Sequence, residues 1–348
     1  MESVERYTRK QFLRRSALGI GAVAAAGGGA VASSLPAFGA AGARPQLKLG
    51  WAGGTCEAAT YVGHDVGFFE KEGLDVELVR LANSQAGIDA LGAGKIDAIG
   101  GVIYQYLKPF EQGLDVRFAA GLHGGCLRLV AKPNCGVHKL ADLKGRTVGV
   151  DAIGGGSMAF VSALLSREGV DPTTDVQWRA YPRAEFPTVL DRGDVEVIAA
   201  GDPFSYFLLR DGKAYEVANN MQGGVYYTDR GISHHHFCCF AVLRGGLVRD
   251  DPKTAAALTR AWIKSSQYVG EHLDETARLE TDQKYVAVDA PTAKALISSY
   301  EWHPTAQGIY DEVLRAAVDF KAAKILDPRT DVVDLANRAY VDIFKLGA

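Results

Sequence analysis

Ser233-His234-His235-His236-Phe237-Cys238-Cys239-Phe240 is the densest run of imidazoles and thiols in the chain. These groups are good ligands for zinc, copper and iron. Read as a β-strand, the run places alternate residues on opposite faces. His234, His236 and Cys238 then share one face as the candidate metal ligands, and His235 and Cys239 take the other. Cys126 or His123 could complete the set from a neighbouring strand. Two other readings stay open. The run could be a buried strand that uses its thiols as small apolar groups, or His236 could hydrogen-bond an organic ligand directly. Five cysteines occur, at 56, 126, 135, 238 and 239. The odd number leaves at least one unbridged. Cys126 with Cys135 is the expected pair; vicinal Cys238 and Cys239 rarely bond to each other, because the joining peptide strains the bridge.

Other candidate binding residues sit where strands give way to glycine-rich turns. Trp51-Ala52-Gly53-Gly54-Thr55-Cys56-Glu57 ends an apolar strand. Thr55 is placed to cap the next helix, whose free N–H groups and dipole favour an anion. Val148-Gly149-Val150 runs into Gly154-Gly155-Gly156-Ser157. Its glycines let backbone approach a ligand, and Ser157 can cap a helix that starts at Met158. At Gly201-Asp202-Pro203, Asp202 either reaches the ligand or caps a helix with Pro203 at its first position. Tyr104 and Gln105 follow a fourth strand end. No Walker loop, nucleophile elbow or spaced carboxylate pair stands out.

These residues need a scaffold that gathers strand ends. Residues 47–101 supply its pattern: strand Leu47–Trp51, a helical segment, strand Asp75–Val79 with period-2 alternation, a helix, and strand Ile96–Ile99. That β-α-β-α-β order predicts parallel sheet covered by helices. In such sheets ligands bind beyond the carboxyl ends of the strands. Asp251-Pro252-Lys253-Thr254 opens a predicted helix, and apolar residues follow at helical spacing through Tyr268.

The wording is more specific than the pattern. GFFEKEGLDVEL at 67–78, ALGAGKIDAIGG at 90–101, Asp142–Val150 and Asp194–Pro203 together resemble the nitrate/sulfonate/taurine-type substrate-binding proteins of ABC importers, within the wider SsuA/THI5-like group. The resemblance thins after about Leu279. It implies an α/β periplasmic-binding-protein type II fold, with two lobes joined by two hinge strands. Lobe 1 would hold 44–128 plus 243–348, and lobe 2 would hold 132–236. The hinge strands would lie near 127–131 and 237–243. It further implies a small anionic or polar organic solute, a permease of the inner membrane as partner, a monomer, and no enzyme activity or cofactor, with a transition metal as the open alternative. His234–Cys238 also looks like the Cys-Cys-Cys-Phe-Cys motif of the fungal pyrimidine-precursor synthases, which use iron near it. Where those enzymes carry a lysine and a histidine, this chain has Gly101 and Gln105. The resemblance therefore argues against the synthase reaction.

Residues 1–43 read as an export signal. Arg9-Lys10 precedes an Ala/Gly-rich run that ends at a small-x-small site near Ala43. Periplasmic location is the expectation. The remainder is globular in composition, with 47% hydrophobic and 23% charged residues. A formal net charge of −3 gives no reason to expect nucleic acid or an anionic membrane as partner.

Overall fold

In a computed structural model of the protein, the described residues are 44–221 and 237–348. Residues 1–43, read above as an export signal, and His234–His236 fall outside them.

The first half of each lobe follows the alternating pattern seen in the sequence. In the first sheet, β1 (Gln46–Trp51), β2 (Asp75–Arg80) and β3 (Ala98–Val102) run parallel. Between them lie α1 (Ala58–Asp65) and α2 (Ser84–Gly92). After α3 (Ile103–Glu111), β4 (Val116–His123) closes one edge. β5 (Leu127–Ala131) then opens the second sheet, with β6 (Thr147–Val150), β7 (Gln177–Ala180), β8 (Val197–Gly201) and β9 (Tyr215–Asn219). Its helices include α4 (Gly156–Arg167), α5 (Phe186–Arg192) and α6 (Phe204–Arg210). β10 (Cys239–Arg244) returns to the first sheet.

The strand orders are β2-β1-β3-β10-β4 and β7-β6-β8-β5-β9. In each sheet three parallel strands are followed by one that runs antiparallel to both of its neighbours. This is the two-sheet α/β plan of the type II periplasmic-binding-protein fold. Neither β5 nor β10 crosses between the sheets; each pairs within one sheet only. The passages lie outside the expected hinge strands, at Gly124–Cys126 and between Asn219 and Cys239.

Five further helices cover the first sheet and brace the second: α7 (Pro252–Glu271), α8 (Leu273–Asp282), α9 (Ala290–Ser298), α10 (Ile309–Ala322) and α11 (Val332–Ala339). α7 starts as its sequence predicts, with Asp251 accepting from Thr254 N and Pro252 at the first position. Its Trp262 is fully buried and donates from Nε1 to Thr60 Oγ1 at 3.2 Å. Burying a side chain of this size contributes on the order of 2–3 kcal/mol and locks α7 onto α1. Arg167 of α4 pairs with Asp319 of α10, tying the two halves together behind the strand ends. No helix among the described residues is long and apolar enough to cross a membrane.

Candidate site where the strand ends meet

The carboxyl ends of β1 and β3, the end of β4 and the start of β10 all open toward the start of β5 and the end of β8. At the β1 end, Glu57 folds back on its own loop. Its carboxylate accepts from Ala52 N at 2.9 Å, Gly54 N at 2.7 Å and Tyr61 Oη at 3.1 Å. The N–H groups expected to attract an anion are thus already occupied. Burial, and then the neighbouring Cys56, raise the Glu57 pKa to about 7. Thr55 is not the cap: Gly54 holds that position. The Thr55 hydroxyl is instead fully buried and lies 2.9 Å from Tyr300 Oη. Tyr300 Oη donates onward to Asp202 Oδ2 at 3.4 Å. A hydrogen-bonded relay therefore runs from the first sheet to the second.

Asp202 is buried and held by Arg128, whose Nε lies 3.0 Å from Oδ1, and by Ser205 Oγ at 2.8 Å. Arg128 also donates to Glu216 at 2.5 Å, so this guanidinium is neutralised twice. Desolvation raises the Asp202 pKa against the pull of Arg128. α6 begins at Phe204 with Pro203 as its cap residue, and Asp202 does not cap it.

At the β6 end the helix starts two residues earlier than expected. Gly155 is the N-cap and Gly156 the first residue of α4, with no side chain capping it. Ser157 lies inside the helix and is buried. Gly156 packs on α3: a Cβ there would sit 3.7 Å from Gln105 Cβ. Gly155, Gly156, Ser157, Tyr104 and Gln105 are thus brought to one contact between the lobes. The Tyr104 ring lies against Phe160, at 5.6 Å between centroids, and Phe320, at 5.9 Å, which makes it a packing element. A Cβ on Gly101 would fall 2.4 Å from the Tyr106 ring, so no lysine fits at the position the synthases use.

The cysteines depart most from expectation. None is bridged among the described residues. Cys135 lies 3.8 Å from Tyr215 Oη. The partner of Cys126 is Cys238, with the sulfurs 3.3 Å apart. Cys56, Cys126 and Cys239 also bring their Sγ atoms within 4.8 Å of one another. Alternation put Cys238 and Cys239 on opposite faces, but β10 begins only at Cys239, and its register shifts between Cys239 and Phe240. Cys238 therefore precedes the ladder, and both thiols turn to Cys126. Phe237 steers this entry: its ring covers Gly121, where a Cβ would lie 2.2 Å from it. Of the proposed ligands, Cys238 joins the cluster, and His234 and His236 lie outside the described residues.

His123 lies beside the cluster, opposite Cys239 in the β4–β10 ladder. It is fully buried, stacks on Tyr300 at 5.4 Å and lies tilted against Trp302 at 4.7 Å. Hydrogen bonds from Cys126 and Cys239, together with His123, hold the Cys56 thiol well below its usual range. Cys126 is pushed well above its range, first by Cys238. A groove of about 620 Å³ shares Tyr300 and Trp302 with this centre.

Tyr300 and Glu280 escaped the sequence reading. Glu280 of α8 is fully buried with neither carboxylate oxygen hydrogen-bonded, and burial pushes its pKa well up. No spacing marks either residue. The lock by Glu57 did have a signal: an acidic residue three positions after Gly54, as in a capping box.

Solved structures share this architecture. A protein from Bordetella bronchiseptica is 22% identical with a TM-score of 0.69, over 86% of this chain and 96% of its own. The periplasmic nitrate-binding protein NrtA from Synechocystis is 17% identical with a TM-score of 0.68, over 87% and 88%. The alkanesulfonate-binding protein SsuA from Xanthomonas axonopodis pv. citri, bound to MOPS, is 16% identical with a TM-score of 0.67, over 86% and 99%. No curated protein sequence matches. The family match covers residues 40–282, most of the chain, and on that match the protein belongs to the NMT1-like family.

Proposed function

We propose that this protein is the solute-binding component of an ABC importer, exported to the periplasm, where it captures a small solute between its two lobes and presents it to an inner-membrane permease. One observation carries the reading: strand ends from both sheets converge on a buried centre bridged by Thr55, Tyr300 and Asp202. Two chain passages join the sheets, as hinge closure around a ligand requires. A ligand that binds the closed form better would shift the population toward it. The names of NrtA and SsuA, for nitrate and alkanesulfonate, support the class of function.

The electrostatics favour a different cargo from a bare anion. Glu57 fills the N–H groups of the first loop, Arg128 is already paired, and Glu280 adds a buried carboxyl. A neutral polar or cationic solute fits these surroundings better than nitrate or a sulfonate. Binding requires no covalent chemistry.

The test is small-angle scattering of the purified protein, titrated with nitrate, taurine, alkanesulfonates, neutral heterocycles and metal salts. One solute class should compact the molecule reversibly without being consumed. An unchanged scattering curve across the whole panel would sink the reading.

A further inference from the structure

Three stretches of chain far apart in sequence bring sulfur to one point. Cys56 follows β1, Cys126 lies in the passage from β4 to β5, and Cys238 and Cys239 lead into β10. Cys126, Cys238 and Cys239 are nearly inaccessible, and Cys56 is half-buried. Beside them His123 donates from Nδ1 to the Gly124 carbonyl at 3.1 Å. A carbonyl can only accept, so Nδ1 carries the proton and Nε2 keeps its lone pair. That Nε2 is buried and has no hydrogen-bond partner. His123 is the register partner of Cys239, and its carbonyl accepts from Cys238 N at 2.9 Å. An unpartnered buried nitrogen calls for an explanation. A backbone carbonyl holding the other ring nitrogen is the usual support for a metal-bound imidazole.

We propose that the sulfurs of Cys56, Cys126 and Cys239, with His123 Nε2 as fourth donor, form a site for one thiophilic d10 metal ion, zinc(II) or copper(I). The donor set selects the ion class: thiolate and imidazole suit these metals, and the absence of a carboxylate from the set disfavours magnesium and calcium. The spacing suits it as well. Zinc–sulfur bonds of about 2.3 Å in tetrahedral geometry put sulfurs about 3.8 Å apart, so a set already within 4.8 Å needs only slight contraction. Cys238, 3.3 Å from the Cys126 sulfur, is placed to hydrogen-bond it from outside the set. Binding would release thiol protons and no electrons. The site itself stands on this geometry. That the ion is the transported cargo rests on the clamp reading above.

The protein, reduced and stripped of metal under anaerobic conditions, is titrated separately with zinc(II), copper(I) and cobalt(II), the last for its thiolate charge-transfer band. One ion per chain is expected, with Cys56, the accessible thiol of the set, protected from alkylation relative to the stripped protein and Cys135 still reactive. Cys126→Ser, Cys239→Ser and His123→Gln should each weaken binding by more than about 100-fold, and Cys135→Ser should leave it unchanged. Alkylation mapping of the unmutated protein decides the matter should a variant fail to fold. No bound ion, an ion that leaves Cys56 as reactive as in the stripped protein, or a Cys126–Cys238 disulfide in the protein as isolated would overturn the site. A protein that binds no ion yet compacts around an organic solute would overturn the site while leaving the clamp standing. Metal binding without compaction would retain the site and remove the cargo role.

Discussion

The two sheets have the same strand order, so the loop after β1 and the loop after β6 occupy equivalent places, and they are built in opposite ways. In the first, Glu57 fills the backbone donors and buried sulfur crowds beside it. In the second, Gly154, Gly155 and Gly156 lead into α4 with no side chain hydrogen-bonded as its cap. The first end is acidic and soft. The second keeps the positive end of a twelve-residue helix. One topology can therefore present either chemistry, and a few residues after each strand choose between them.

The contrast can be broken from either side. The largest effect belongs to the second sheet. Asp202→Ala leaves the Arg128 guanidinium buried with one partner fewer, and should cost about 3–5 kcal/mol in chemical denaturation. A loss below about 1 kcal/mol would mean that Glu216 alone neutralises Arg128. In the first sheet, Glu57→Ala removes the acceptor for Ala52 N, Gly54 N and Tyr61 Oη, and should cost about 2–3 kcal/mol. If the melting temperature does not move, the loop is not locked by that carboxylate.

Glu280 sharpens the acidic character of the first end through pH. Its folded-state pKa is raised above the ordinary 4.5, so the folded state binds the extra proton and stability falls as pH climbs above that value. Glu280→Gln should remove this slope and stabilise the protein by about 1 kcal/mol at about pH 8, with little effect at about pH 4. Parallel pH profiles for the two proteins would contradict the assignment. The smallest effect is expected at Ser157→Ala. A true N-cap serine costs about 1 kcal/mol on such replacement, whereas Ser157 sits inside α4 and should cost under about 0.5 kcal/mol.

Much of the fold was legible because it rests on local rules. Alternation marked β1 and β2, glycines marked the turns, and Asp251-Pro252 marked the start of α7. Tyr104, Gln105, Gly156 and Ser157 were picked from positions after strands, and the fold does bring them into one interlobe contact. The capping roles were misread at Thr55, Ser157 and Asp202, because a cap depends on where the helix starts to within one residue. Cys126–Cys135 failed as a pair for a different reason. Nearness in sequence lowers the cost of closing a loop, but β5 carries the chain away from Cys126, and the return of β10 brings Cys238 and Cys239 instead.

By itself the sequence determined the alternation of strands and helices, the family, and which residues could bear chemistry, since each depends on side-chain type and short spacing. Only the tertiary structure decided that Cys56, His123, Cys126 and Cys239 come together at one point, and that Tyr300 joins Thr55 to Asp202. Those contacts depend on strand register and on the packing of elements far apart in the chain, and no local pattern of residues encodes them.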